Sequence, residues 1–237
     1  MTRYWASIRI SSTDDVIANI YGGRAYSTLN GGTNWSEIQP IGNNNGNWIP
    51  NAIDSDGRVM SLAVYNGRLW YSTNSGSSFS EIRPNGDVNA SYRGIAVSSD
   101  GSKIIATVMG ARVWLSTNSG SSFSDVAGTN GNWWPCAMDS DGSHIIFGAN
   151  TGRLWLSTNS GSSFSEVRPD GNYDKAWTGL SMSDDGSVIL AGHGTRLFLS
   201  TNSGTNWSET RPKGDVDGVW QAVGVSGDGS CLIAGEP

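Results

Sequence analysis

Cysteine and histidine are almost missing from this 237-residue chain, which holds two of each. Cys136 and Cys231 fall at different positions of different repeats, so neither a disulfide framework nor a metal-ligand spacing follows from them. They read as two buried thiols behaving as small hydrophobes. Positive charge is also scarce: Lys and Arg total 15 against 21 Asp and Glu, the net charge is −6, and the basic residues form no run. Electrostatic binding to nucleic acid or to an anionic membrane is therefore disfavoured. No apolar stretch is long enough to enter or span a bilayer, and MTRYWASIRI lacks the apolar core of a signal peptide, so the sequence assigns no compartment. Ser-His-Asp, His-x-x-x-His and phosphate-loop patterns are absent, and no cofactor or metal is implied.

What the chain does have is glycine, at 32 residues, and tryptophan, at 11. Those counts suit many tight turns and short aromatic-rich strands, whereas a helical protein needs more Leu, Ala, Glu and Lys. The string STNSGSSF begins at Ser72, Ser116 and Ser157, with near-copies at Thr28 (TLNGGTNW) and Ser200 (STNSGTNW). The spacings are 44, 44, 41 and 43 residues, which marks one supersecondary unit repeated along the chain. Trp177–Pro212 shows the unit: alternating WTGLSMS, an Asp-Gly turn, the apolar run SVILAG, a loop at Gly192–Thr195, RLFLS, the turn TNSGTN, and WSETRP. That is four short strands with no room for a helix. Asp-Gly suits the first turn if both central residues take positive φ. Four-stranded units of this period are propeller blades, with small residues on each innermost strand. Tyr26, Trp70, Trp114, Trp155 and Phe198 occupy one equivalent position and are expected to form an inter-blade layer.

The turn between third and fourth strands, Ser200-Thr201-Asn202-Ser203-Gly204-Thr205-Asn206-Trp207, resembles the Asp-box, Ser-x-Asp-x-Gly-x-x-Trp. Asn replaces Asp in every copy (Asn30, Asn74, Asn118, Asn159, Asn202), and a short side-chain oxygen can still accept backbone N–H groups across the turn. Over essentially its whole length the chain is similar to Asp-box, or BNR-repeat, β-propellers of the sialidase and sortilin type. That group includes sialidases, receptor domains, xyloglucan-degrading enzymes and a photosystem II assembly factor. The resemblance implies an all-β propeller of four-stranded antiparallel blades, and an Asp-box that is structural and lies on the side away from the ligand.

An aromatic introduces each innermost strand: Trp5, Trp48, Tyr92, Trp133, Trp177 and Trp220. The repeats then run approximately 5–47, 48–91, 92–132, 133–176, 177–219 and a partial 220–237, within a single propeller domain spanning 1–237. The count favours six blades with an incomplete last one over five. Innermost strands are expected at Ala6–Ser11, Asn51–Asp54, Gly94–Ser98, Cys136–Asp139, Gly179–Ser183 and Ala222–Ser226. The incomplete sixth repeat leaves a route to oligomerisation.

One loop face is nearly invariant between repeats; the other varies (IGNNNGNW, PNGDVNASY, AGTNGNWW, PDGNYDKAW, PKGDVDGVW), and repeat proteins place function on such a face. Its aromatic rings offer flat apolar surface to a sugar, and its Asn and Asp can bind vicinal hydroxyls. Trp48, Tyr92, Trp133, Trp134, Tyr173, Trp177 and Trp220 are the candidate ligand platforms, Trp134 and Tyr173 being unique to their repeats. Arg68, Arg112, Arg153 and Arg196, with Arg24, start every third strand and offer either a carboxylate site, as the resemblance to sialidases implies, or ties across the blade tops. Glu37, Glu81, Asp125, Glu166 and Glu209 form a repeat-equivalent set on the outer strand, and His193 reads as a loop polar residue. Unique acids such as Asp174, Asp215 and Asp217 do not define glycosidase spacing, so catalysis has no support. The expectation is a non-enzymatic, lectin-like module, with a protein-docking propeller or a sialidase-like glycosidase as the alternatives; its partners would be glycans or a protein.

Overall fold

The computed structural model describes residues 4–218 and 220–236, and among them every regular element is a β-strand. The first repeat supplies β1 (Tyr4–Ile10), β2 (Val16–Gly23), β3 (Ala25–Thr28) and β4 (Ser36–Ile38). The second supplies β5 (Gly46–Ile53), β6 (Met60–Val64), β7 (Leu69–Ser72) and β8 (Ser80–Ile82); the third, β9 (Tyr92–Val97), β10 (Ile104–Ala111), β11 (Val113–Ser116) and β12 (Ser124–Asp125). β13 (Gly131–Met138), β14 (Ile145–Ala149), β15 (Leu154–Ser157) and β16 (Ser165–Val167) make the fourth, and β17 (Trp177–Met182), β18 (Ile189–His193), β19 (Leu197–Ser200) and β20 (Ser208–Thr210) the fifth. A hairpin of β21 (Ala222–Val225) and β22 (Leu232–Gly235) follows. Within each repeat, successive strands pair antiparallel.

Most innermost strands begin earlier than the alternation suggests, because the introducing aromatic joins the ladder ahead of a bulge. The register shifts between Trp48 and Asn51, Trp133 and Cys136, and Trp177 and Gly179. Such a bulge re-aims the strand end without ending the pairing.

The chain divides into two compact units, Met1–Ala127 and Gly128–Pro237. Inside each, one packing scheme recurs, in which the front face of a repeat covers the back face of the repeat before it. In the first unit, Met60, Leu62, Trp70 and Phe79 of the second repeat pack on Ile17, Ala25 and Ile38 of the first. Tyr92, Ile104, Ala106, Trp114 and Phe123 of the third pack likewise on Ala63, Leu69 and Tyr71 of the second. In the second unit, Trp177, Ile189, Ala191, Phe198 and Trp207 cover Ile146, Leu154 and Leu156. Val223, Val225 and Ala234 of the hairpin lie on Leu190, Leu197 and Leu199. The scheme follows from strand periodicity: alternate residues of β6, β10, β14 and β18 serve opposite faces, and both faces are buried over most of their length.

Two turns hold the strands in register. In the Asp-box-like turn, Asn74 Oδ1 accepts from Ser78 N at 3.0 Å and Ser72 Oγ accepts from Gly76 N at 3.0 Å. Asn118, Asn159 and Asn202 repeat the bond at 2.9, 3.0 and 2.8 Å. Here two consecutive residues take positive φ, Ser75 at 53° and Gly76 at 77°, and the first repeat meets the same demand with Gly31 and Gly32. The Asp-Gly turn differs from expectation. Gly101 has φ 70° but Asp100 stays on the negative side, and its carboxylate instead accepts from Ser98 Oγ and Ser102 N. Those bonds hold Asp100 down to about 2, and Asp185 and Asp228 behave alike.

Cys136 is half-buried and Cys231 is exposed, so the expectation of two buried thiols fails. Cys231 lies on the final hairpin, just before β22.

Candidate functional site

Of the candidate aromatics, Trp48, Tyr92, Trp133, Trp177 and Trp220 are only 1–7% exposed. Their rings are buried and offer no flat face to a ligand, which corrects their reading as platforms. Burial pushes the Tyr92 phenol up to about 12, and Trp177 Nε1 donates to Gly152 O at 3.2 Å. Trp134, in the β13 bulge, is half-buried. Tyr173 is 74% exposed, the most open large apolar side chain among the described residues.

The arginines are likewise committed. Each lies across from the outer-strand acid of its own repeat: Arg24 to Glu37 at 3.5 Å, Arg68 to Glu81 at 3.7 Å, Arg112 to Asp125 at 2.9 Å, Arg153 to Glu166 at 4.0 Å and Arg196 to Glu209 at 3.4 Å. Most also reach forward to the loop leading to the next repeat. Arg24 donates to Asn43 Oδ1 at 2.7 Å, Arg68 meets Asp87 at 3.1 Å, Arg153 meets Asp174 at 2.6 Å and Arg196 meets Asp217 at 2.8 Å. A guanidinium already shared between two acceptors is poorly placed to seize a ligand carboxylate. Arg24, Arg68, Arg153 and Arg196 thus tie the outer strand of their repeat to the loop that follows, whereas Arg112 meets Asp125 of its own repeat.

Backbone bonds finish the anchoring. Gly67 and Ala90 exchange bonds at 3.2 and 2.9 Å, and Gly152 and Lys175 exchange theirs at 3.0 Å. A loop so clamped at its base projects its middle residue, and three loops carry an apolar residue at that position: Val88 is 54% exposed, Tyr173 74% and Val216 58%. Asp87, Asn89, Asn172, Asp174, Asp215 and Asp217 flank them.

The Tyr173 loop has the richest chemistry. Lys175 Nζ lies 2.5 Å from Asp170 Oδ2 and 5.9 Å from the Tyr173 ring centroid. Asp170 Oδ2 is also 3.3 Å from His193 Nε2, although that contact is not aligned as a hydrogen bond. Thr195 N donates to His193 Nδ1 at 3.4 Å. His193 is 3% exposed, with its ring edge-on to Trp177 at 5.2 Å and stacked on Phe198 at 5.6 Å. Burial pulls its basicity down, opposed by the Asp170 carboxylate. The expected loop histidine is thus the last residue of β18. Cross-strand register puts it at the position that Val64, Val108 and Ala149 fill in other repeats, so an imidazole here is a departure from an aliphatic rule. Asp170 and Lys175 went unnoticed as sequence because only folding brings both to one histidine.

No protein-family model matches the sequence, and no curated protein is similar to it in sequence. Similarity appears in structure. An ancestral GH74 enzyme superposes with a TM-score of 0.76 at 18% identity, over 98% of this chain and 35% of that one. The GH74 xyloglucanase from Xanthomonas campestris gives 0.68 at 15% identity, over 88% and 38%. YCF48 bound to D1 peptide gives 0.50 at 12% identity, over 94% and 87%. The chain spans little more than a third of the length of those GH74 structures. With the all-β repeats described above, these likenesses place the chain in the β-propeller fold class.

Proposed function

We propose that this chain is a non-enzymatic binding module that takes a carbohydrate at the Asp170–Lys175 loop. The exposed Tyr173 ring, 74% open beside Asp170, Asp174 and Lys175, carries the reading. An aromatic ring receives the C–H face of a pyranose, while a carboxylate and an ammonium fixed next to it bind hydroxyls as acceptor and donor. The arginine clamp keeps the loop in place, which lowers the entropy lost on binding. Similar folds occur in a xyloglucanase and in a peptide-bound protein, so the fold alone does not select the ligand.

A glycosidase reading gains nothing from the geometry. The carboxyl group with raised basicity, Asp54, is walled in at the β5–β6 turn, at the other end of its strand from the variable loops. Protein docking is the second reading, favoured by the apolar tips Val88, Tyr173 and Val216, each flanked by Asp or Asn.

A glycan array run beside a panel of fluorogenic glycosides tests the proposal. The expected result is glycan capture without turnover, weakened by about 1–3 kcal/mol in Tyr173→Ala with the melting temperature unchanged. An empty array, or capture indifferent to Tyr173, rules the proposal out.

A further inference from the structure

The pattern of the repeats breaks at one junction, and the exceptions meet there. Loops 83–92 and 168–177 align residue for residue, and register pairs Val108 with Tyr92 just as it pairs His193 with Trp177. The first junction carries Asn85, Ala90 and Val108, none of them charged, where the second carries Asp170, Lys175 and His193. Folding brings both bases to a single atom: Asp170 Oδ2 lies 2.5 Å from Lys175 Nζ and 3.3 Å from His193 Nε2. The imidazole is 3% exposed, so that oxygen and its immediate neighbours, with little water, decide which protonation state it can hold.

Trp177 of β17 and Phe198 of β19 bring only rings to His193, and Thr195 brings an amide and a hydroxyl, each 3.4 Å from Nδ1. The charges that act on it are Asp170, Lys175 and, from β20, Glu209. Arg153 is engaged with Asp174, and Arg196 with Glu209 and Asp217. A neutral imidazole leaves the Asp170 oxygen to Lys175, whose ammonium then stands 5.9 Å from the Tyr173 ring. An imidazolium alters every one of these contacts. It competes for the same oxygen, repels the ammonium at close range, and can no longer accept from Thr195 N at Nδ1. Burial disfavours the charged ring while the loop stays closed over it. Protons therefore favour an opened loop, and a saccharide that needs the closed one is bound less tightly in acid.

We propose that His193 is an acid-sensing positioning residue for the Tyr173 loop. While neutral it leaves Asp170 and Lys175 paired beside the ring, and once protonated it breaks that pair and the loop releases its saccharide. The inference rests on the carbohydrate reading of this loop and adds to it a release in acid.

Two measurements on the full chain test this. In the first, amide spectra of the ¹⁵N-labelled protein without saccharide are recorded from pH 8 to pH 5, beside those of His193→Val. The amides of residues 170–175 should shift in step with the His193 ring and stand still in the variant. Loss of one imidazole signal in the variant tells His193 from His144, the other histidine of the chain. In the second, the glycan array is repeated at pH 7.5 and pH 5. Wild-type capture should fall roughly tenfold or more in acid. His193→Val, whose side chain matches Val64 and Val108, should capture as well as the wild type at pH 7.5 and lose less than about twofold at pH 5. Loop amides that ignore the His193 titration overturn the proposal, as does an equal acid loss in His193→Val. An array empty at both pH values removes the carbohydrate reading, and the spectra of the free chain then decide the acid response by themselves.

Discussion

Asp54 is buried to 1% exposure, and the environment it lacks is present elsewhere in the chain. Its Oδ1 accepts from Val59 N at 2.8 Å, but its Oδ2 is enclosed without a hydrogen-bond partner, and Arg58 comes no nearer than 3.9 Å. Asp139, at the equivalent position, has Ser143 Oγ at 2.7 Å and His144 Nδ1 at 2.6 Å on the matching oxygen. Burial, with Asp56 nearby, raises Asp54 from 3.8 to about 6. A carboxyl whose folded pKa lies above its unfolded value favours the fold while protonated. That contribution is whole below pH 3.8 and is lost as the pH rises through 6. A shift of roughly two units corresponds to about 3 kcal/mol. Ser98, Ser183 and Ser226 fill the same position and accept the same backbone N–H, from Lys103 at 2.9 Å, Val188 at 3.0 Å and Cys231 at 2.9 Å. Each also donates to the aspartate two residues on. Asp54→Ser should therefore keep the turn bond, gain a donor to Asp56 and remove the buried charge. Urea denaturation across pH should show a stabilisation growing from near zero at pH 3.5 to about 2–3 kcal/mol at pH 8. A difference independent of pH, or a variant less stable at pH 8, would refute the reasoning.

Asn159→Ala removes the acceptor for Ser163 N and should cost about 1 kcal/mol by thermal denaturation, with glycan capture intact. His193→Val restores the aliphatic rule of the position. Because burial lowers the basicity of His193, the imidazole withdraws stability as the pH falls below 6.5, and a denaturation series should show the difference between the variant and the wild type moving in the variant's favour over that range.

The repeat, the four strands of each unit and the turn residues could all be read from spacing and alternation, since those signals are local. The inner aromatics were located correctly but their exposure was not. Sequence puts Trp48 and Trp5 in equivalent places, and only the presence of a neighbouring repeat decides that one is buried and the other open. The arginines repeat as regularly as core residues because each answers an acid across one strand pair, and that pairing needs register, which no motif states. Tyr173 stood out as unique to its repeat. The Asp170–Lys175–His193 group did not, because His193 ends a strand one residue beyond where the apolar run suggested and Asp170 comes from a different loop.

Mapping by NMR would test the central claim most directly, with ¹⁵N-labelled protein titrated with whichever saccharide the array selects. The account predicts saturable shifts in the amides of Asp170–Lys175 and around His193, with the Asp-box-like turns at Ser72–Phe79, Ser116–Phe123 and Ser157–Phe164 unmoved. Shifts concentrated in those turns, with the Tyr173 loop silent, would put binding on the opposite face and contradict it.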